Sequence, residues 1–81
     1  MSPEQARLYW RCRRGMLELD LLLQGFLARG YERLSEPARA AFEALLRMPD
    51  NDLLELLYGS AEATDRETAD VVAAIRRAAA P

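Results

Sequence analysis

Hydrophobic residues recur along the chain at the spacing of helical faces. In the segment 35–48 they fall three and four positions apart, which puts them on one side of a helix, at Ala38, Ala41, Phe42, Leu45 and Leu46. The segment 16–28 differs, because it is apolar almost all round. A helix of that kind is packed on several sides, so the pattern predicts it at the centre of a helical bundle.

Start signals divide the chain into five predicted helices. Ser2 and Thr64 each stand three positions before a glutamine or a glutamate, the spacing of a capping box, and open the first and last helices. The first helix is predicted to run to about Arg13. Ser35 opens the third helix, and Asp50 is predicted to cap the fourth.

The composition also indicates an all-α fold. Hydrophobic residues make up 51% of the 81 positions and charged residues 30%, the balance of a globular domain. Only four glycines and four prolines leave little room for turn-rich β-structure. We predict a small five-helix bundle with residues 1–81 as a single domain. No apolar run approaches the roughly 18 residues of a membrane span and no leader pattern opens the chain, so we expect a bacterial cytoplasmic protein without membrane insertion.

Two missing residue types narrow the range of functions. The chain has no histidine, and its eleven cationic side chains are all arginines. The commonest general base and metal ligand is therefore missing, as is the lysine of Schiff bases and P-loops. Cys12 is the single cysteine, and we expect a small buried hydrophobe rather than a nucleophile or a disulfide partner. We expect no enzyme, whether metal- or flavin-dependent, and no metal site.

A glycine and several charges lie together between the first two predicted helices. The segment reads Cys12-Arg13-Arg14-Gly15-Met16-Leu17-Glu18-Leu19-Asp20. Gly15 permits a positive φ or a close backbone approach, although an ordinary linker glycine fits the spacing equally well. Glu18 can pair with Arg14 in a continuous helix, or cap the second helix at its third position. Asp20 falls among apolar residues and needs a partner, such as an internal arginine.

This segment resembles the signature of the succinate dehydrogenase flavinylation factors, Arg-Gly-x-x-Glu-x-Asp. The preceding Leu8-Tyr9-Trp10 is similar to the aromatic approach to the motif in that family, and Pro49-Asp50-Asn51-Asp52-Leu53-Leu54 is similar to the start of its fourth helix. The likeness extends from about residue 7 to residue 77. Glu55 is a departure, because many members have a tryptophan in that setting.

The resemblance implies a five-helix, chaperone-like assembly factor. Members of the family dock on the flavoprotein subunit of succinate dehydrogenase, and in some bacteria on that of fumarate reductase. They favour the conformation in which that subunit attaches FAD to its own histidine. FAD then belongs to the client, so the resemblance implies no stably bound cofactor in this chain. It carries over Arg14, Gly15, Glu18 and Asp20 as partner-binding residues.

The first helix offers a second candidate surface. On a helical wheel Arg7, Arg11 and Arg14 share one side, with Trp10 beside them. Tryptophan and arginine are enriched in interface hot spots, but a half-buried core tryptophan is equally expected. The same residues support an alternative function, a small helical nucleic-acid-binding or antitoxin-like regulator. The net charge of −2 argues against it, and we expect no nucleic-acid partner.

Overall fold

Five α-helices make up the chain in a computed structural model that describes residues 2–59 and 61–79. They are α1 (Pro3–Arg11), α2 (Leu17–Arg29), α3 (Glu36–Leu46), α4 (Asp50–Tyr58) and α5 (Arg66–Ala79). A short 3-10 turn, Tyr31–Arg33, lies between α2 and α3. No strand occurs in the described residues, and the predicted all-α bundle is confirmed.

Hydroxyl side chains cap α1 and α3 as predicted. The Ser2 hydroxyl accepts the backbone N–H of Gln5 at 3.1 Å, and the Gln5 side chain accepts the N–H of Ser2 at 3.4 Å, which together form a capping box. At α3 the Ser35 hydroxyl accepts the N–H of Ala38 at 3.3 Å. Each bond satisfies a backbone donor that the first turn of a helix leaves without an internal partner.

Two predicted caps are wrong by one residue. Asp65, rather than Thr64, caps α5, because its carboxylate accepts both the backbone N–H and the hydroxyl of Thr68, at 3.1 and 2.7 Å. At α4 the N-cap is Pro49, which makes no side-chain capping bond. Asp50 is the first residue of α4 instead, where its charge suits the positive end of the helix dipole.

One hydrophobic core joins the helices. Its buried members are Leu8, Cys12, Leu19, Leu23, Phe26, Leu27, Tyr31, Ala38, Phe42, Leu45, Leu46, Leu53, Leu56, Leu57, Val71, Val72 and Ile75. The ring of Phe42 lies 5.3 Å from that of Phe26 and 5.5 Å from that of Tyr31, between centroids. Apolar burial of this kind is the main term that stabilises a small helical domain.

Helix α2 is less enclosed than predicted. It packs against α1, α5 and the 3-10 turn, while α5 packs against α2, α3 and α4. Helix α2 buries one face but leaves Leu17 and Leu21 75% and 63% exposed. Its pattern is apolar all round because it carries leucines on a solvent face as well as on a core face. It runs unbroken through Gly25, and no described helix is long and apolar enough to cross a membrane.

Candidate partner-binding site

The loop between α1 and α2 has a fixed backbone shape centred on Gly15. Helix α1 ends at Arg11, two residues before the predicted end, and Cys12 is its C-cap. Gly15 has φ +85° and is exposed, and a Cβ added there would meet nothing within 4 Å. Glycine is therefore favoured by the left-handed backbone and not by crowding within the chain. The positive φ explains why the loop favours a glycine, and it fits the linker interpretation as well as the partner-binding one.

The side chain of Arg14 points into the protein. Its guanidinium Nε donates to Asp50 Oδ1 at 2.7 Å, and its two Nη groups donate to the backbone carbonyls of Leu46 and Met48. The side chain is only 14% exposed. Leu46 ends α3 and Asp50 begins α4, so Arg14 ties the loop to the junction of these helices. The predicted pairing of Arg14 with Glu18 is absent, because α1 and α2 are not one continuous helix.

Asp20 holds the same loop from the other side. Its Oδ1 accepts the backbone N–H of Arg14 at 2.6 Å, in a partly buried position. The need for a partner, predicted from the apolar neighbours of Asp20, is met by an arginine backbone and not by an arginine side chain. Because both the backbone and the guanidinium of Arg14 are bonded, the position of Gly15 is set relative to three helices.

Glu18 lies on the surface beside this loop. Its Oε2 accepts the hydroxyl of Tyr58 at 2.8 Å, which links the start of α2 to the end of α4. This hydrogen bond raises the pKa of Tyr58, because it favours the protonated phenol. Glu18 is the second residue of α2, whereas a capping glutamate stands at the third. It does not cap the helix, because α2 has no side-chain capping bond. Tyr58 was missed in the sequence, because 40 residues separate it from Glu18.

The predicted aromatic–arginine cluster on α1 has a different arginine. Arg13 lies over the ring of Trp10, 5.2 Å from its centroid, and Trp10 is 64% exposed. Arg14 is turned away from it, Arg7 is exposed on α1, and Arg11 pairs with Glu43 of α3 at 3.8 Å. The helical wheel failed here because α1 ends before residues 13 and 14. Arg14 is therefore not available to a nucleic acid, because its side chain binds groups within the protein. Only two of the three arginines that supported the nucleic-acid alternative remain on this surface.

Cys12 belongs to the core and not to the surface of this loop. It is fully buried, and burial raises the pKa of its thiol to about 11. The expected role as a small buried hydrophobe is confirmed. Among the residues that the structure describes, no three cysteine or carboxylate side chains are grouped so that they could hold a metal ion.

Comparison with known proteins assigns the chain to a family. A family model described as flavinator of succinate dehydrogenase matches residues 6–79. A FAD assembly factor SdhE from Legionella pneumophila (strain Paris) is 48% identical over 75 residues, which cover 93% of this chain and 94% of the relative. The FAD assembly factor SdhE of Shewanella oneidensis is 42% identical over 76 residues, 94% of this chain and 93% of the relative. The chain therefore belongs to the succinate dehydrogenase flavinator family.

Proposed function

We propose that this chain is a bacterial cytoplasmic assembly factor that binds the flavoprotein subunit of succinate dehydrogenase, or of fumarate reductase, and promotes covalent attachment of FAD to it. In this proposal the factor is not an enzyme and binds no cofactor stably, because the bond forms between FAD and the client. Family membership supports the assembly role, since the relatives are FAD assembly factors by name.

The observation that carries the docking part of the proposal is the fixed, exposed backbone at Gly15. The Arg14 and Asp20 contacts hold this loop in one shape before any partner arrives. A surface that is already ordered loses little conformational entropy on binding, so more of the contact energy appears as affinity. The absence of a side chain at Gly15 lets a partner approach the backbone closely.

In this proposal, binding of the factor to the client is by itself enough to promote attachment of FAD to the client. A partner that binds one conformation of the client more tightly than the others raises the population of that conformation. In our proposal the favoured conformation is the one in which the client's own groups form the FAD bond. Arg14, Gly15, Glu18 and Asp20 act together here, Arg14 and Asp20 by shaping the loop and Gly15 and Glu18 by facing the client. Trp10, Arg7 and Arg11 extend the surface along α1.

Two substitutions at Gly15 test the docking surface. Alanine and arginine impose the same backbone strain at φ +85°, about 1–2 kcal/mol, but only arginine adds length and charge. We expect similar losses of melting temperature for Gly15→Ala and Gly15→Arg, by roughly 4–16 °C. Only Gly15→Arg should abolish covalent flavin on the client, measured as in-gel flavin fluorescence in cells that lack the factor and carry each variant. Normal fluorescence with a folded Gly15→Arg protein would show that the client does not dock here.

A further inference from the structure

Exposed large hydrophobic side chains lie together around α2 and the end of α4. Leu17, Leu21 and Tyr58 are three of the four large hydrophobic side chains that stand exposed in the described part of the chain. Leu17 and Leu21 are neighbours one turn apart on α2, and Tyr58 lies across from them at the end of α4. Together with Glu18 and Gly25 we call these residues the α2–α4 patch. Clustered exposed leucines and tyrosine are typical of a surface that binds a partner.

A positioned carboxylate lies within this patch. Tyr58 donates its hydroxyl to Glu18, which fixes the carboxylate between apolar side chains. Glu18 takes part in none of the ion pairs found among the described residues. An apolar partner that covered this carboxylate would remove its water and provide nothing in exchange, which is unfavourable. A partner with a cation at this point would compensate the charge.

Gly25 lies in the interior of α2 and lines the groove beside Leu21 and Tyr58. A Cβ added there would touch only the Arg29 side chain, at 3.7 Å, which is an ordinary contact. Nothing within the chain therefore requires a glycine at this position, although glycine is less stable than alanine in a helix interior. A close approach of a partner backbone would give a reason for a residue without a side chain.

We propose that the α2–α4 patch receives an apolar segment of the flavoprotein client that presents an arginine or lysine to Glu18. This inference rests on the proposed function and extends the docking surface beyond the signature motif. The patch begins beside the Gly15 loop, since Leu17 and Glu18 follow it at the start of α2 and are exposed, as Gly15 is. Leu17, Leu21 and Tyr58 provide the apolar contact, Glu18 the charge, and Gly25 the space for the client backbone.

The affinity of purified, FAD-free flavoprotein subunit for variants of this chain tests the inference. Leu21→Gln and Glu18→Gln should each weaken binding at least about tenfold, as loss of a hot-spot side chain does. Gly25→Ala should raise the melting temperature of the free chain by about 2–8 °C and yet weaken binding several-fold. Ala40→Gln, on the exposed side of α3, is the control and should change neither quantity.

The outcomes separate this inference from the proposed function. If the wild-type chain binds the subunit and Gly15→Arg does not, while Leu21→Gln and Gly25→Ala bind as the wild type does, the patch is overturned and the proposed function stands. Failure of the wild-type chain to bind overturns both. Loss of binding by the patch variants, with circular dichroism spectra like that of Ala40→Gln, supports the patch.

Discussion

Arg14 shapes the loop on which it lies through contacts of both its backbone and its side chain. Its backbone N–H donates to Asp20, and its guanidinium donates to Asp50 and to three backbone carbonyls. A planar guanidinium directs several N–H groups at once, which suits four acceptors on different residues. Gly15 lies next to it, so the direction of the exposed backbone depends on contacts made within the chain.

Removal of this side chain should destabilise the fold as well as affect docking. Arg14→Ala leaves partly buried acceptors without a donor, and we expect the free energy of unfolding to fall by about 1.5–3 kcal/mol. Arg14→Lys should recover only part of the loss, because one ammonium cannot reproduce the fork of donors. Urea unfolding checks both variants against Arg7→Ala, an exposed control expected within about 0.5 kcal/mol of wild type. Equal stability of Arg14→Ala and Arg7→Ala would contradict the structural role.

At the scale of the helices, arginines repeatedly bind the carbonyls at a helix end. Arg14 binds Leu46 at the end of α3, and Arg29 binds the carbonyl of Ala78 in the last turn of α5. Arg76 donates to the carbonyls of both Leu56 and Leu57, in the last turn of α4. The carbonyls in the last turn of a helix cannot all be paired within that helix, and they form the negative end of the helix dipole. A chain whose cations are all arginines thus uses them to bind helices to one another.

The Asp65 cap of α5 makes the free energy of unfolding of the chain depend on pH in the acid range. The hydrogen bonds from Thr68 lower the pKa of Asp65, so the folded state binds this proton less readily than the unfolded state, where an Asp pKa is about 3.9. The contribution of the cap is therefore present above about pH 4 and is lost as the pH falls through the lower, folded pKa. Asparagine caps helices comparably well but does not titrate. Urea unfolding of wild type and of Asp65→Asn should be measured from pH 6 to pH 2. We expect the free energy of unfolding of wild type to fall relative to that of Asp65→Asn as the pH falls. A difference that stays constant over this range would contradict the role of Asp65 as a charged cap.

The sequence predicted those elements whose evidence is local. The capping box at Ser2 and the apolar stripe of α3 involve residues within a few positions of each other, and both are confirmed. The partners of Arg14 and Glu18 were not predicted, because 36 and 40 residues separate them from Asp50 and Tyr58. The exposed leucines of α2 were not predicted, for a different reason. A hydrophobicity pattern shows that a face avoids water, but not whether the chain itself or a partner covers it.

At the scale of the whole molecule, Cys12 reports on the integrity of the core. It is fully buried with a pKa of about 11, so very little of it is thiolate near neutral pH, and reagents reach it only when the structure opens. We expect a thiol reagent at pH 8 to label the folded chain at least about a hundredfold more slowly than the urea-unfolded chain. The exposed control, Ala40→Cys in a Cys12→Ala background, should be labelled at similar rates in both states. Rapid labelling of folded wild type would mean that this end of the core opens readily.

The anchoring of Arg14 also bears on how this chain can diverge. The acceptors on α3 and after it are backbone carbonyls, those of Leu46 and Met48, which every amino acid possesses. Replacement of the side chains at 46 and 48 during evolution therefore leaves these acceptors in place, provided that the helix ends keep their path. Asp20 and Asp50 are the acceptors whose identity must be inherited, because they bind Arg14 through their side chains. The loop around Gly15 can thus keep its form in descendants whose third and fourth helices have drifted far in sequence.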